Sequence, residues 1–166
     1  MSTALHGQSG PLHPPTDEPE DARRRLNATI EHRGSAVVLH ARGEIDAYTL
    51  PTWRRLLREA AAATAAPNPI VIDTTGLDFM ACRSLLVLAE ESERCRHQGM
   101  RLCVVGRSVL ARIVTLIDLD AQLPIYSCVE DAVADSALNG RSHGCRAAGQ
   151  RGTVASVAKI GDPSGA

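Results

Sequence analysis

The residues best placed to do chemistry are Cys82-Arg83-Ser84, at the predicted start of a helix. A helix N-terminus and a neighbouring guanidinium both favour a thiolate, so Cys82 reads either as a redox-responsive thiol or as an inert buried cysteine. Ser84 reads as an ordinary N-cap or first-turn residue. Glu44 and Asp46 precede another predicted helix. They read as a solvated loop, with Asp46 as a cap. Asp73 ends a predicted strand and is suited to hydrogen-bond the loop that follows.

Signatures of catalysis are scarce. His40 lies within a strand pattern and reads as a half-buried side chain. His97 is two residues from Cys95, a spacing that puts them on different faces of a helix rather than around one metal. Nothing in the spacing ties His40 or His97 to Ser84 or Cys82. Neither a GxxxxGK[ST] loop nor a GxGxxG turn is present. Cys82, Cys95, Cys103, Cys128 and Cys145 are an odd number without CxxC spacing, which indicates neither a disulfide framework nor a zinc knuckle. The expectation is a non-enzyme that holds no cofactor and no metal.

The chain's 166 residues suit one domain with flanking segments. Lys and Arg number 18 against 19 Asp and Glu, and a net charge of −1 argues against direct nucleic-acid binding. Aromatics are 2% of residues, so the core must be aliphatic and base-stacking platforms are few. No apolar stretch approaches the roughly 18 residues of a membrane helix, and the first twenty residues hold no signal-peptide core. These features predict a cytoplasmic protein without membrane insertion.

Proline-rich residues 1–23 and glycine-interrupted residues 139–166 are expected to be a disordered segment and a flexible tail, with the domain at 24–138. Val154 to Ile160 is a weak apolar patch in that tail. Leu26–His32 and Ser35–Arg42 read as a hairpin turning at Arg33-Gly34. Thr49 is placed to cap a helix whose first turn holds Pro51 and whose arginines Arg54, Arg55 and Arg58 face solvent. Ile70-Val71-Ile72 is a buried strand, followed by a loop from Asp73 to Cys82. A second helix runs from about Arg83 to Gln98, with a Leu85, Leu88, Ala89, Ser92, Cys95 stripe and a Glu90–Arg94 pair. Leu102–Val105 is the next strand, then a helix capped by Ser108 that carries Val109, Ile113, Leu116 and Ile117. An edge strand at Leu123–Tyr126 and a short helix at Val129–Leu138 complete the domain. The fold class is α/β: a mixed sheet of four to five strands packed with about four helices.

Three stretches in this order resemble the STAS domain of bacterial anti-sigma factor antagonists. Gly43-Glu44-Ile45-Asp46 with Thr49 is similar to the family's G-E-[LI]-D…T. Ile70-Val71-Ile72-Asp73 with Leu77-Asp78-Phe79-Met80 resembles the strand and loop before its phosphorylation site. Leu116-Ile117-Asp118-Leu119 stands in the place of its Leu-x-x-x-Gly-Leu ending. The resemblance spans essentially the whole folded region and implies a non-catalytic module that binds a kinase-like anti-sigma factor and so controls sigma factor availability.

The resemblance also implies a switch, because in the family the partner phosphorylates a serine within D-S-[ST]-G at the second helix. A phosphate there adds nearly two negative charges to a contact surface. In this sequence the motif becomes Ala81-Cys82-Arg83-Ser84, with Arg83 at the acceptor position and Ser84 in place of the glycine; the resemblance thus offers Ser84 as a displaced phosphorylation site, against its plain reading as a first-turn residue. The usual switch is therefore expected to be missing, leaving constitutive binding or control by something other than phosphate. The implied partner surface comprises Gly43, Glu44, Asp46, Cys82, Arg83 and Ser84; a homodimer is compatible with it. A second reading is the STAS subunit of an ABC-type lipid transporter, which binds an ATPase and needs no phosphoserine. Chromosomal neighbours distinguish the two.

Overall fold

The computed structural model describes Gly10–Pro11 and residues 19–140. Among them are six strands, β1 (Gly10–Pro11), β2 (Leu26–Arg33), β3 (Ala36–Ile45), β4 (Ile70–Met80), β5 (Leu102–Val105) and β6 (Ile125–Tyr126). Five helices accompany them: α1 (Glu20–Arg25), α2 (Leu50–Ala62), α3 (Cys82–His97), α4 (Ser108–Leu116) and α5 (Val129–Gly140). The strands lie side by side in chain order in one sheet. β1–β2–β3 pair antiparallel, whereas β3–β4–β5–β6 pair parallel through helical crossovers. The mixed α/β fold is the expected one, extended by β1 and α1.

Two layers of helix cover the sheet because the central strands are apolar on both faces. One face buries Val37, Leu39, Ile70, Ile72 and Val104 against Trp53 and Leu57 of α2, Leu85 and Leu88 of α3, and Leu110 and Val114 of α4. The other buries Val38, Val71, Cys103 and Val105 beneath Val129 and Ala132 of α5. Each fully buried side chain of this size contributes about 1.5–3 kcal/mol over its exposed state. Trp53, the single tryptophan, lies wholly inside.

Several local expectations are corrected. The segment 1–23 is not uniformly without structure: Gly10–Pro11 pair with Thr29 and Ile30, and α1 begins at Glu20 with Ala22 buried. Residues 1–9, 12–18 and 141–166, with the Val154–Ile160 patch and Cys145, lie outside the described residues. The hairpin turns at Gly34-Ser35, one residue later than read, and Gly34 takes φ +61.

The segment from Asp73 to Met80 is strand rather than loop. It continues β4 because Gly43, Glu44 and Ile45 extend β3 beside it, pairing with Leu77, Phe79 and Met80 across two register shifts. Alternation alone misses this, since the shifts disrupt the period. Glu90 reaches across to Arg54 of α2 at 2.7 Å rather than to Arg94. Arg54 and Arg55 accordingly are paired, the latter with Glu59. Arg107, not Ser108, is the N-cap of α4.

Candidate functional site

The G-E-I-D stretch is a strand end folded into a turn. Asp46 Oδ1 accepts hydrogen bonds from the Tyr48 and Thr49 N–H groups, both 2.9 Å, and so turns the chain into α2. Thr49 occupies the N-cap but does not cap through its side chain; its hydroxyl donates to the Glu44 carbonyl at 2.8 Å. These bonds, with those of Thr49 first, hold the Asp46 carboxyl below the usual carboxylate range. The other Asp46 oxygen accepts from Arg25 at 2.7 Å, and Glu44 accepts from the same nitrogen at 3.0 Å. The Arg25 guanidinium also lies 6.0 Å above the Tyr48 ring centre.

Gly43 is required by its backbone. Its φ is +105, and a Cβ built on it would fall onto the carbonyl oxygen of Arg25, 3.4 Å from the Leu26 Cα. The residue expected on a partner surface is thus the seam between β3 and the α1–β2 junction.

Beside Glu44, in register on β4, stands Phe79, half exposed at 53%. The Ala81 N–H donates to the Ile45 carbonyl at 2.9 Å, which fixes the start of α3 next to the end of β3. Cys82 and Arg83 open α3 and are exposed. Ser84 does not join them. It is fully buried, and its hydroxyl donates to the Ala81 carbonyl one turn back. The helix directs its third residue toward the core, as the Leu85 and Leu88 stripe requires, so Ser84 leaves the expected surface.

The residue the sequence reading did not place here is Val109. α4 buries Leu110 and Val114 and leaves Val109 59%, Leu116 83% and Ile117 40% exposed. With apolar residues on every side of α4, periodicity could not tell which stripe faces inward. Val109 and Leu110 join Phe79, Met80, Cys82 and Leu85 in a shallow groove of about 180 Å³, with Asp78 and Arg107 also lining it. Leu86, one turn beyond Cys82, adds a further exposed apolar side chain at 52%. A large half-exposed aromatic ringed by aliphatic groups and single charges is the makeup of a protein-recognition patch.

Asp73 serves elsewhere. Its Oδ1 accepts from the Thr75 N–H and hydroxyl, and its Oδ2 lies 2.8 Å from His40 Nδ1. His40 Nε2 lies 2.9 Å from Glu31, which pairs with Arg33, which pairs with Glu130 of α5. This run of hydrogen-bonded polar side chains ties β4, β3, β2 and α5 together on the α5 side of the sheet. Burial alone would raise the Asp73 carboxyl, but the Thr75 and His40 bonds outweigh it and hold it below its ordinary range. Among the described residues no group of three His, Cys, Asp or Glu is arranged to hold a metal ion. His97 and Cys95 are on different faces as read, one exposed and one buried.

Comparison with known proteins agrees with this architecture. A family model described as STAS domain matches residues 27–132. The anti-sigma-F factor antagonist RsfA of Mycobacterium tuberculosis is 47% identical over 110 residues, 66% of this chain and 86% of RsfA. RsfB of the same organism, also named an anti-sigma-F factor antagonist, is 32% identical over 111 residues, 65% of this chain and 87% of RsfB. The crystal structure of an anti-sigma factor antagonist from Mycobacterium paratuberculosis superposes with a TM-score of 0.60 at 26% identity. It covers 68% of this chain and 94% of that one.

Proposed function

This chain belongs to the STAS domain family, and from that membership we propose that it is an anti-sigma factor antagonist: a non-catalytic cytoplasmic protein that binds an anti-sigma factor of kinase-like fold and thereby frees a sigma factor. One observation carries the reading beyond the relatives' names. The exposed start of α3 adjoins the apolar groove of Phe79, Cys82 and Val109, with Glu44 paired in register to Phe79. That is a surface built for occupancy by another protein. The proposed contact residues are Glu44, Asp46, Phe79, Cys82, Arg83 and Val109, with Gly43 shaping the loop from beneath.

Control by phosphate at this loop is absent in the proposal. Arg83 stands at the acceptor position and has no hydroxyl, while the Ser84 hydroxyl is sealed in the first turn of α3. The relatives favour this reading over that of a transporter subunit. Reconstitution tests it: the full chain, added to a purified complex of an anti-sigma factor and its sigma factor from the same cell, should release the sigma factor in gel filtration. Failure to displace it from any anti-sigma factor of that cell overturns the proposal.

A further inference from the structure

At the end of the sheet where β4, β5 and β6 begin, opposite the start of α3, lies a cleft of about 600 Å³. Its apolar wall comes from Pro67 and Pro69 before β4, Met100 and Leu102 at the start of β5, and Ala121 and Pro124 before β6. We propose that this cleft is the seat of the chain's own C-terminal segment, Val154 to Ile160. The proposal is independent of the function proposed above, because it concerns a second surface, away from the groove of Phe79 and Val109.

The chemistry of the wall selects an apolar occupant. Its polar side chains are already engaged: the Ser92 hydroxyl donates to the Gln122 carbonyl at 2.7 Å and that of Ser136 to the Ala132 carbonyl at 2.6 Å. Arg96 pairs with Glu93, and Arg101 with Asp135. Three of the lining residues are prolines, which have no N–H to offer a ligand. What the cleft can give is burial of aliphatic groups, at about 25 cal/mol for each Å² removed from water.

The path of the chain selects which apolar group that is. α5 runs back from the end of β6, brings Ser136 into the cleft wall and ends one turn later at Gly140. Val154, Val157 and Ile160 are all the branched aliphatic residues that follow Gly140. They recur at every third position, so one face of a helical or polyproline-type turn presents all three. Val154 comes 14 residues after Gly140, a link that spans at most about 50 Å and returns to the cleft with slack. The Phe79 groove is the 11-residue length of β4 away, about 36 Å, and would draw the same link out over most of its reach. So short a link holds the segment at the cleft at a roughly millimolar effective concentration, enough for a contact made by a few small side chains.

Two measurements on the full chain test this. In the first, Lys159 is replaced by a diazirine-bearing lysine analogue, the protein is illuminated, and the points of insertion are mapped by mass spectrometry. Insertion should occur within one chain, at Met100–Leu102 or Ala121–Pro124. Insertion centred elsewhere in the chain, such as Phe79–Leu85 or Val109, overturns the proposal. So does insertion into a second chain, which would make the cleft an interface between copies, and so does no insertion at all. In the second, backbone amides are compared by NMR between the wild type and Val157→Asp/Ile160→Asp. Both substitutions lie beyond residues 27–132, which the family model matches, so they leave the domain able to fold. The amide signals of Leu102 and Gln122 should shift, while those of Phe79 and Cys82 stay in place. Unmoved signals at Leu102 and Gln122, or movement at Phe79 and Cys82 instead, overturn the proposal. Neither measurement uses an anti-sigma factor, so failure of the functional proposal leaves both readable.

Discussion

The carbonyl of Arg25 rests directly on Gly43, at a distance that leaves no room for a Cβ. The contact joins the end of α1 to the last residues of β3, and Arg25 then extends its guanidinium to Glu44 and Asp46. Replacing Gly43 by alanine forces both a strained positive φ and a backbone collision. Gly43→Ala should destabilise the protein by about 3 kcal/mol, read in denaturant unfolding. A loss under about 1 kcal/mol would mean that the α1–β2 junction shifts easily and that the seam is unimportant.

Phe79 separates binding from folding. At 53% exposure it contributes little to the core, so Phe79→Ala should leave stability within about 0.5 kcal/mol. The same change should weaken binding to the anti-sigma factor about tenfold or more, as expected for an aromatic anchor. Calorimetric titration checks it. Wild-type affinity in the variant would move the interface away from the groove.

Ser84 should take no phosphate. Incubation with the proposed kinase-like partner and ATP, followed by mass spectrometry of the intact chain, should give no modification at residues 81–84. The hydroxyl is inaccessible and already donates to the Ala81 carbonyl. Ser84→Ala should cost about 1 kcal/mol of stability through loss of that bond. Phosphate found on Ser84 would require the first turn of α3 to open in solution.

The thiols should differ sharply. Cys82 is exposed, whereas burial pushes the Cys95 thiol up to about 11 and raises that of Cys103. Iodoacetamide applied to the folded protein near neutral pH should therefore label Cys82 first. The added group would stand in the groove and reduce partner binding. Equal labelling of Cys103 would contradict the packing of α5 over β5.

Acid should weaken the fold through its carboxylates. Glu31 is held below its ordinary range by the Arg33 bond first and by His40 next; Asp73 and Asp46 are also held low. Groups whose folded pKa is depressed stabilise the fold above their unfolded values of about 4, and that contribution disappears as pH falls through the folded values. Thermal midpoints should thus decline from about pH 5 downward, less steeply in Asp73→Asn than in the wild type. Parallel curves would show that the Asp73 carboxylate, with its Thr75 and His40 bonds, does not contribute.

Much of the architecture was legible from local pattern. Val37–Leu39, Ile70–Ile72 and Leu102–Val105 read as buried strands, because apolar, largely β-branched runs satisfy both propensity and burial in a two-sided sheet. The α3 stripe of Leu85, Leu88, Ala89, Ser92 and Cys95 is buried as its spacing requires. The G-E-I-D stretch and the Cys82-Arg83 pair likewise marked where β3 ends and where α3 begins.

What the chain order could not convey was decided by contacts between distant residues. Ser84 turned inward and Val109 outward because the facing of a helix is set by what it packs against. The run from Asp73 to Met80 became strand only because Gly43–Ile45 lay alongside to pair with it. Above all, the ion pair of Arg25 with Glu44 and Asp46 spans separations of 19 and 21 residues and forms only once β2 folds back along β3. Sequence alone determines which side chains are apolar or charged and which local geometry each backbone tolerates. Which of them meet, and which face they leave to a partner, is a property of tertiary packing, because that is where the energies of burial and charge pairing are realised.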